Sequence, residues 1–308
     1  MVAPSAPVRC PACRTLLHVA AEHLGRPVRC PACRQAFRTA LPGSPPAPAR
    51  RIEVASATTA GRLRERNEDA VLTQQLAWDD RTGHHELTLL VVADGMGGHA
   101  AGDRASQVAI AAVARSLAPR LAEWIGADPV PEIATLVDLL DTALWDASRS
   151  VYHAASEPGC GGMGATAVAA LIIDGQAAIA HVGDCRAYHH TRDGLRRITT
   201  DQTLARRLVE LGTLTEREAE RHPSAGQVAQ ALGRLPDVEP SRHTLTLTAG
   251  DWLLLASDGL HTHLSDAEIA AHLAAARTPA DLAATLLACA NHAGGRDNGT
   301  VVTGRAGA

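Results

Sequence analysis

The chain has 308 residues, a length that suits one large domain with a small appendage or two domains. Hydrophobic residues make up 46% of it and charged residues 20%, as in ordinary globular proteins, but the aromatic content of 2% means that aliphatic side chains must build the core. The net charge of −4, with arginine as the only basic residue besides histidine, excludes the charge pattern typical of polyanion-binding proteins. The sequence has neither an apolar run of about 18 residues nor a signal-peptide core, so we expect a cytoplasmic protein with no membrane partner.

The N-terminal segment repeats the sequence VRCPAC. The repeat places Cys10 and Cys13 in one CxxC pair and Cys30 and Cys33 in a second, 16 residues further on. Thiols stay reduced in the cytoplasm, and four thiolates in two such pairs are the ligand set of tetrahedral zinc. We predict a zinc ribbon over residues 1–38 with one closed, structural Zn²⁺ site. A redox or accidental pairing is the alternative, which the duplicated motif disfavours.

The partner of this ribbon is not identifiable from the sequence. The segment is locally basic, but it lacks the aromatic residues on which nucleic-acid bases stack, so we expect no nucleic-acid partner. Residues 39–51 are rich in Pro and Ala and are predicted to form a semi-extended linker.

Residues 52–304 have the composition of a single compact domain. The Asp-Gly pairs at Asp174 and Asp193 separate apolar or alternating runs and indicate hairpins. Tight hairpins, together with helices in separate pairs, favour an α+β fold with antiparallel sheets over alternating βαβ units. The predicted strands are 87–93, 166–173, 177–182, 186–191, 242–247, 252–257 and 300–303, and the predicted helices are 105–125, 132–156, 204–221, 266–276 and 279–292.

The segment VVADGMGGHAAGD, residues 91–103, raises the question of nucleotide binding. Gly95, Gly97 and Ala100 fit the relaxed dinucleotide fingerprint, but the ribose-binding acid and the second strand that this motif needs are absent downstream. A P-loop requires a lysine, and the chain contains none. The sequence therefore disfavours a nucleotide-binding loop.

Acidic residues recur beside the predicted strands. A single Asp-Gly pair is more typical of a turn, but several separated acids beside buried strands supply hard oxygen ligands for Mg²⁺ or Mn²⁺, and leaving them uncompensated would be costly. We therefore predict a divalent metal site. The acids are Asp94 in VVADG, Asp258 in LLASDG, Asp297 in RDNGTVV, Asp184 in HVGDCR, and Glu68 with Asp69 in RNEDAV.

The order of several segments along the chain resembles a known family. The segments GRLRERNEDA, VVADGMGGHAAGDRAS, GMGATAVAAL, AHVGDCRAYHH, LLLASDGL and GGRDNGTVV follow the order found in metal-dependent protein phosphatases of the 2C type. The resemblance covers residues 52–304 and implies a four-layer αββα sandwich, in which two antiparallel sheets are flanked by helices and a two-metal centre lies at one edge. It also implies that residues 199–235 form a flap that influences substrate choice.

The resemblance assigns ligands to the two Mn²⁺ or Mg²⁺ ions and to a third, weaker ion. These are Asp94, which bridges both ions; the Gly95 carbonyl; Asp258 and Asp297 on one ion; Asp69 and the nearby Glu68, directly or through water; and Asp184 for the third ion.

Two further residues have implied catalytic roles. Arg64 lies where the family places a guanidinium that binds substrate phosphate, although a plain surface arginine is the alternative because Arg62 and Arg66 are adjacent. His99 is the nearest candidate to protonate the leaving oxygen. The equal alternative is that His99 is only a helix-start histidine or that a metal-bound water is the donor. Animal members of the family carry a histidine directly after the Asp-Gly pair, where this chain has Met96.

The implied activity is hydrolysis of phosphoserine and phosphothreonine on proteins by a binuclear Mn²⁺/Mg²⁺ centre that activates a bridging water. The expected partners are phosphoprotein substrates of a Ser/Thr kinase. One alternative is a pseudophosphatase scaffold that acts through its zinc ribbon, and another is a small-molecule phosphomonoesterase on the same site. The presence of Asp69, Asp94, Asp258 and Asp297 favours an enzyme over a scaffold.

Overall fold

The computed structural model describes residues 5–10, 13, 15–39, 51–80, 83–97, 101–125, 131–219 and 222–307. Residue contacts divide the chain into two compact units, Met1–Ala47 and Pro48–Gly307. Residues 40–50 of the predicted linker lie outside the described residues. Within the described residues, no helix combines the length and the apolar character that crossing a bilayer requires.

The N-terminal unit contains two small antiparallel hairpins. Strand β1 (Ser5–Arg9) pairs with β2 (Leu16–Ala20), and β3 (Pro27–Arg29) pairs with β4 (Ala36–Arg38). A short 3₁₀ turn at Ala21–His23 follows the first hairpin. Each hairpin turn carries one of the two CxxC pairs.

The larger unit contains two five-stranded antiparallel sheets. Its strands are β5 (Ile52–Thr59), β6 (Asp69–Asp80), β7 (Gly83–Met96), β8 (Gly164–Ile173), β9 (Gln176–Val182), β10 (Arg186–Thr191), β11 (Gly194–Arg197), β12 (Ser241–Thr246), β13 (Trp252–Ala256) and β14 (Gly299–Ala306). The order is β11-β10-β13-β14-β5 in the first sheet and β12-β9-β8-β7-β6 in the second.

Helices cover the outer face of each sheet. The second sheet packs against the first two helices in the chain, and the first sheet against the last three. The later helices begin at strong sequence signals: Ser265 and Glu268 form a reciprocal capping box, and Thr278 caps a helix whose first residue is Pro279. The helices are α1 (Ala101–Trp124), α2 (Ile133–Ala154), α3 (Leu204–Glu210), α4 (Glu216–Ala219), α5 (Asp258–His261), α6 (Asp266–Ala275) and α7 (Pro279–His292).

Strand β7 shows how the layers arise from the sequence. Successive side chains of a strand point to opposite faces, so an unbroken apolar run is buried on both. Leu89 and Val91 pack with α1 and α2, whereas Leu90 and Val92 pack against the other sheet. A third core lies between the first sheet and the C-terminal helices. The predicted α+β fold, a four-layer αββα sandwich, is confirmed.

One predicted element is wrong, and several strands were not predicted. Residues 204–221 do not form a single helix: α3 and α4 are separated by a turn in which Gly212 has a φ of +71°, and residues 220–221 lie outside the described residues. Strands β5, β6 and β11 were missed. Each lies at or next to the edge of a sheet and carries polar side chains, so it lacks the continuous apolar run that marks a buried strand.

Candidate metal centre

The predicted acidic residues lie at strand ends of both sheets. Asp69 begins β6 and lies directly opposite Asp94 near the end of β7, because antiparallel strands bring a beginning and an end together. Asp184 follows β9, Asp258 follows β13 and Ser257, and Asp297 precedes β14. The charges of the other four aspartates all act on Asp94, so the five carboxylates lie in one region. No three of these described aspartates place one oxygen each within 4.8 Å of one another, as the four cysteine sulfurs do.

Burial and mutual repulsion raise the pKa of these carboxyl groups. Burial, with repulsion from Asp258 and Asp297, raises the pKa of Asp69 to about 7. Burial and repulsion from Asp297 raise the pKa of Asp258 to about 6, and burial with repulsion from Asp258 and Asp201 raises that of Asp184 to about 7. Burial followed by repulsion from Asp69 holds the pKa of Asp94 well above its usual range. Such a concentration of carboxylates is unfavourable unless a cation compensates it.

Two oxygens of the cluster, Asp69 Oδ1 and Asp258 Oδ1, are buried and have no hydrogen-bond partner among the described residues. The second oxygen of Asp69 accepts a hydrogen bond from the Ser257 hydroxyl at 2.7 Å, and that hydroxyl oxygen accepts the Thr300 N–H at 2.9 Å. A buried carboxylate oxygen without a donor is suited to ligate a hard cation. The residues present therefore fit Mg²⁺ or Mn²⁺.

Glycines bring the start of α1 close to Glu68. The Gly95 N–H donates to the Glu68 carbonyl at 3.1 Å. A Cβ at Gly95 would lie 1.9 Å from the Gly102 carbonyl oxygen, and a Cβ at Gly102 would lie 2.6 Å from the Glu68 carboxyl carbon. Burial in this position raises the pKa of Glu68. Gly95 in β7 and Gly102 in α1 thus allow these two elements to pack closely against Glu68.

Asn298 supports the site and was not predicted. Its side-chain oxygen accepts the Glu68 N–H at 2.8 Å, and its side-chain nitrogen donates to the carbonyls of Ala60 at 3.0 Å and Arg66 at 2.8 Å. Asn298 therefore fixes the loop that carries Arg64 and Glu68. The available sequence signal was its place directly after Asp297, just as Ser257 directly precedes Asp258.

Arg64 lies at the solvent-facing edge of the cluster. Its Nη2 donates to Asp297 Oδ2 at 2.7 Å, and 52% of its side chain is exposed. The hydrogen bond and the charge of Asp297 raise the Arg64 pKa. Arg62 and Arg66 are also exposed but form no ion pair with another described residue. The predicted proton donor, His99, lies outside the described residues.

A second unpredicted residue, His261, contacts the loop of Asp184. Its Nε2 lies 3.2 Å from the Asp184 carbonyl oxygen. Burial lowers the pKa of His261 to about 3, so the ring is neutral and donates this hydrogen bond. His261 therefore fixes the backbone of Asp184 from helix α5.

In the N-terminal unit, the sulfurs of Cys10, Cys13, Cys30 and Cys33 lie within 4.8 Å of one another. The Sγ atoms of Cys10 and Cys33 are 3.6 Å apart, as are those of Cys13 and Cys30, and all four cysteines are free. A tetrahedron with Zn–S bonds of about 2.3 Å has edges of about 3.8 Å. Hydrogen bonds from Thr15 hold the pKa of Cys13 at about 6, which favours the thiolate, whereas burial and the neighbouring cysteines raise the pKa of Cys33 to about 12. This cluster fits zinc.

Comparison with known proteins adds an independent finding. Residues 64–286 match the family model described as Protein phosphatase 2C. Protein phosphatase PhpP of Streptococcus pneumoniae is 33% identical over 252 residues, which cover 81% of this chain and 96% of PhpP. Among solved structures, the S. agalactiae serine/threonine phosphatase is 32% identical with a TM-score of 0.71, over 83% of this chain and 99% of that one. The catalytic domain of the serine/threonine protein phosphatase PstP, solved with two manganese ions, is 33% identical with a TM-score of 0.67, over 83% of this chain and 99% of that one.

Proposed function

The chain belongs to the protein phosphatase 2C family, and from this premise we propose that it hydrolyses phosphoserine and phosphothreonine on proteins with bound Mn²⁺ or Mg²⁺. The observation that carries the proposal is a group of five aspartates at strand ends whose charges act on Asp94, with two buried oxygens that have no partner among the described residues. A phosphate dianion cannot approach such a cluster unless cations lie between them.

The proposed ligands are those that the family resemblance implies. When bound, the two cations supply an activated water for in-line attack and neutralise charge on the phosphate oxygens. In this proposal the ligands are Asp94 as the bridge, the Gly95 carbonyl, Asp258 and Asp297 on one ion, Asp69 and Glu68 directly or through water, and Asp184 for a third, weaker ion.

The side chains around the ligands position the substrate. Arg64 is exposed, and its planar guanidinium can bind two phosphate oxygens while Asp297 fixes its orientation. Asn298 holds the backbone N–H of Glu68, and Ser257 holds the carboxylate of Asp69. His99 is the proposed donor of the proton to the leaving serine or threonine oxygen.

We also propose that the four N-terminal cysteines hold one structural Zn²⁺ in a ribbon of residues 1–38, joined by a linker of residues 39–51 to a catalytic domain of residues 52–304 with a flap at 199–235. The sulfur spacing and the repeated CxxC pairs support the zinc site. The need for reduced thiols supports a cytoplasmic location.

The proposed partners are phosphoproteins made by a Ser/Thr kinase. The complete set of acidic residues argues against a pseudophosphatase scaffold. A small-molecule phosphomonoesterase would use the same metal centre, so only a comparison of substrates separates it from a protein phosphatase.

The test is phosphate release from a phosphothreonine peptide and from free phosphothreonine. We expect hydrolysis of the peptide to stop in a chelator, to return with Mn²⁺, and to exceed that of the free amino acid. We expect Asp258→Ala to abolish it. Hydrolysis that survives chelation would contradict the proposed metal centre, and a preference for free phosphothreonine would favour the small-molecule alternative.

A further inference from the structure

We propose that Arg234 is a specificity-determining residue that binds an acidic side chain of the phosphoprotein substrate next to the phosphorylated residue. This inference rests on the proposed function, because it places the substrate chain at the same metal centre.

Arg234 lies beside the acidic cluster, on the side opposite Arg64. Its Nη2 is 3.7 Å from the sulfur of Met96, which ends β7 two residues after Asp94. Its side chain covers Gly164, the first residue of β8, where a Cβ would lie 3.5 Å from the Arg234 Cγ and Nε. Because β7 lies between β6 and β8, and Arg64 precedes β6, the two arginines flank the end of β7.

The backbone of Arg234 is held on both sides. Leu232 and Ala165 exchange two hydrogen bonds, at 3.0 and 2.8 Å. The buried hydroxyl of Ser148 in α2 accepts the Gly233 N–H at 3.1 Å and donates to the Leu235 carbonyl at 2.9 Å. The backbone at Arg234 is thus fixed to both β8 and α2.

The turn at this position depends on Gly233. Its φ is +81°, a conformation that favours glycine, and a Cβ there would lie 2.3 Å from Val151 Cγ1. The chain therefore turns at a fixed point, which directs the next side chain, Arg234, outward over Met96.

The guanidinium itself has no compensating charge. Arg234 is exposed and forms no ion pair with another described residue. Two other arginines of the region are paired, Arg206 with Glu216 and Arg186 with Asp201, whereas Arg207 in the same cleft, like Arg234, forms no ion pair with another described residue. A fixed and uncompensated cation beside a substrate site is suited to bind an anion brought by the substrate.

The surroundings of Arg234 favour a polypeptide over a small anion. Arg234 lines a cleft of about 780 Å³, together with Leu204 and Leu235. These two leucines are 43% and 67% exposed. The lining also includes the acids Asp201, Glu210, Asp237 and Glu239, of which the first three are paired with arginines. A cleft that combines exposed leucines with the unpaired Arg234 suits an extended peptide with an acidic side chain.

The distance from the metal centre identifies which part of the substrate Arg234 binds. A strand advances about 3.3 Å per residue, so Met96 lies roughly 7 Å beyond Asp94. An extended peptide covers that distance in about two residues. The phosphate itself faces Arg64 and the proposed cations, and Arg234 faces a neighbouring residue.

The experiment compares three substrates of the full-length protein with Mn²⁺. Two are phosphothreonine peptides that differ at the four positions −2, −1, +1 and +2 around the phosphothreonine, which are all Glu in one peptide and all Gln in the other. The third is p-nitrophenyl phosphate, which has no flanking chain. Exposed ion pairs are weak, so we expect the wild type to prefer the Glu peptide by about threefold in kcat/KM. This preference should come from a lower KM for the Glu peptide, with the same kcat for both peptides. Arg234→Gln should remove this preference, with kcat and the hydrolysis of p-nitrophenyl phosphate unchanged.

Two matched variants complete the design. Arg234→Lys keeps the charge and should retain part of the preference, and Arg115→Gln, an exposed arginine on α1, should behave as the wild type. A wild type without preference, or an Arg234→Gln protein that keeps it, would overturn the inference. An equal loss on all three substrates would overturn it too, because Arg234 would then act on the metal centre. A wild type inactive on every substrate would overturn the proposed function and this inference with it.

Discussion

Asp69 accepts a hydrogen bond from Ser257 with one carboxylate oxygen, while its other oxygen is buried without a partner among the described residues. A buried carboxylate of this kind destabilises the metal-free fold, and burial together with repulsion from Asp258 and Asp297 raises its pKa to about 7. At the scale of single residues, the acidic cluster thus favours the binding of a cation. Without a cation, the same cluster lowers the stability of the fold.

This imbalance predicts how pH affects the metal-free protein. A carboxyl group whose pKa is higher in the folded state than in the unfolded state holds extra protons when folded, so its contribution to stability is lost as the pH rises from about 4 to about 7. We expect Asp69→Asn, measured by thermal unfolding in a chelator, to raise stability relative to the wild type at pH 8 by on the order of 2 kcal/mol, and to have little effect at pH 4. Mn²⁺ should raise the Tm of the wild type more than that of the variant. An Asp69→Asn protein that is less stable than the wild type at pH 8 in chelator would contradict this account.

At the scale of elements, the junction between β7 and α1 sets the geometry of the centre. The Gly95 N–H bonds to the Glu68 carbonyl, and no Cβ separates Gly95 from the Gly102 carbonyl oxygen. Strand β6, the end of β7 and the first turn of α1 can therefore meet within hydrogen-bonding distance. The carbonyl of Gly95 and the carboxylate of Asp94 keep their positions because this junction is closely packed.

Gly95→Ala should disrupt the junction. Its Cβ would lie 1.9 Å from the Gly102 carbonyl oxygen, so backbone must move, and we expect a loss of about 1–3 kcal/mol in the free energy of unfolding together with a loss of hydrolysis. Gly161→Ala is the matched control, because no atom lies within 4 Å of its Cβ position and the residue is exposed. Denaturant unfolding and peptide hydrolysis measure both effects. Equal stability and activity of the two variants would show that the junction tolerates a side chain.

The elements that could be predicted from the sequence are those whose pattern is local. The three hairpin strands β8, β9 and β10 were predicted because Asp-Gly turns separate short apolar or alternating runs. Strand β6 was missed because it lies at the edge of its sheet and polar residues, such as Gln74 and Gln75, interrupt its apolar run. The single helix predicted over residues 204–221 was wrong because Gly212, in a left-handed conformation, interrupts it.

The acidic residues of the candidate site could be predicted because each lies beside an apolar strand. The prediction that these acids lie in one site came from a family resemblance, because the pairing of β6 with β7 is not visible in the composition of either segment. Asn298 and Ser257 were missed because their hydrogen bonds join loops that are more than 180 residues apart in sequence. Arg234 was missed because its position depends on Gly233 and Ser148.

At the scale of the whole molecule, the chain forms two compact units, and each contains its own candidate metal site. Four soft thiolates in the N-terminal unit suit Zn²⁺, whereas the carboxylates of the larger unit suit Mn²⁺ or Mg²⁺. Since each unit has its own ligands and its own hydrogen-bonded strands, we expect the loss of one metal to leave the other bound.

Cys10→Ser tests this separation. We expect metal analysis of the full-length protein to give one zinc per chain in the wild type and none in the variant, because zinc binding requires all four thiolates. The Mn²⁺-dependent hydrolysis of a phosphothreonine peptide should change by less than about twofold. A variant that retains its zinc, or that loses hydrolysis together with zinc, would contradict two separate centres.

The central claim is that carboxylates at the end of β7 hold the cations that hydrolyse a phosphoprotein. Its most direct test is kcat/KM for a phosphothreonine peptide at saturating Mn²⁺, in the wild type and in Asp94→Ala. We expect the substitution to lower kcat/KM by at least about a hundredfold, because it removes the proposed bridging ligand. An Asp94→Ala protein that hydrolyses the peptide as fast as the wild type would contradict the account.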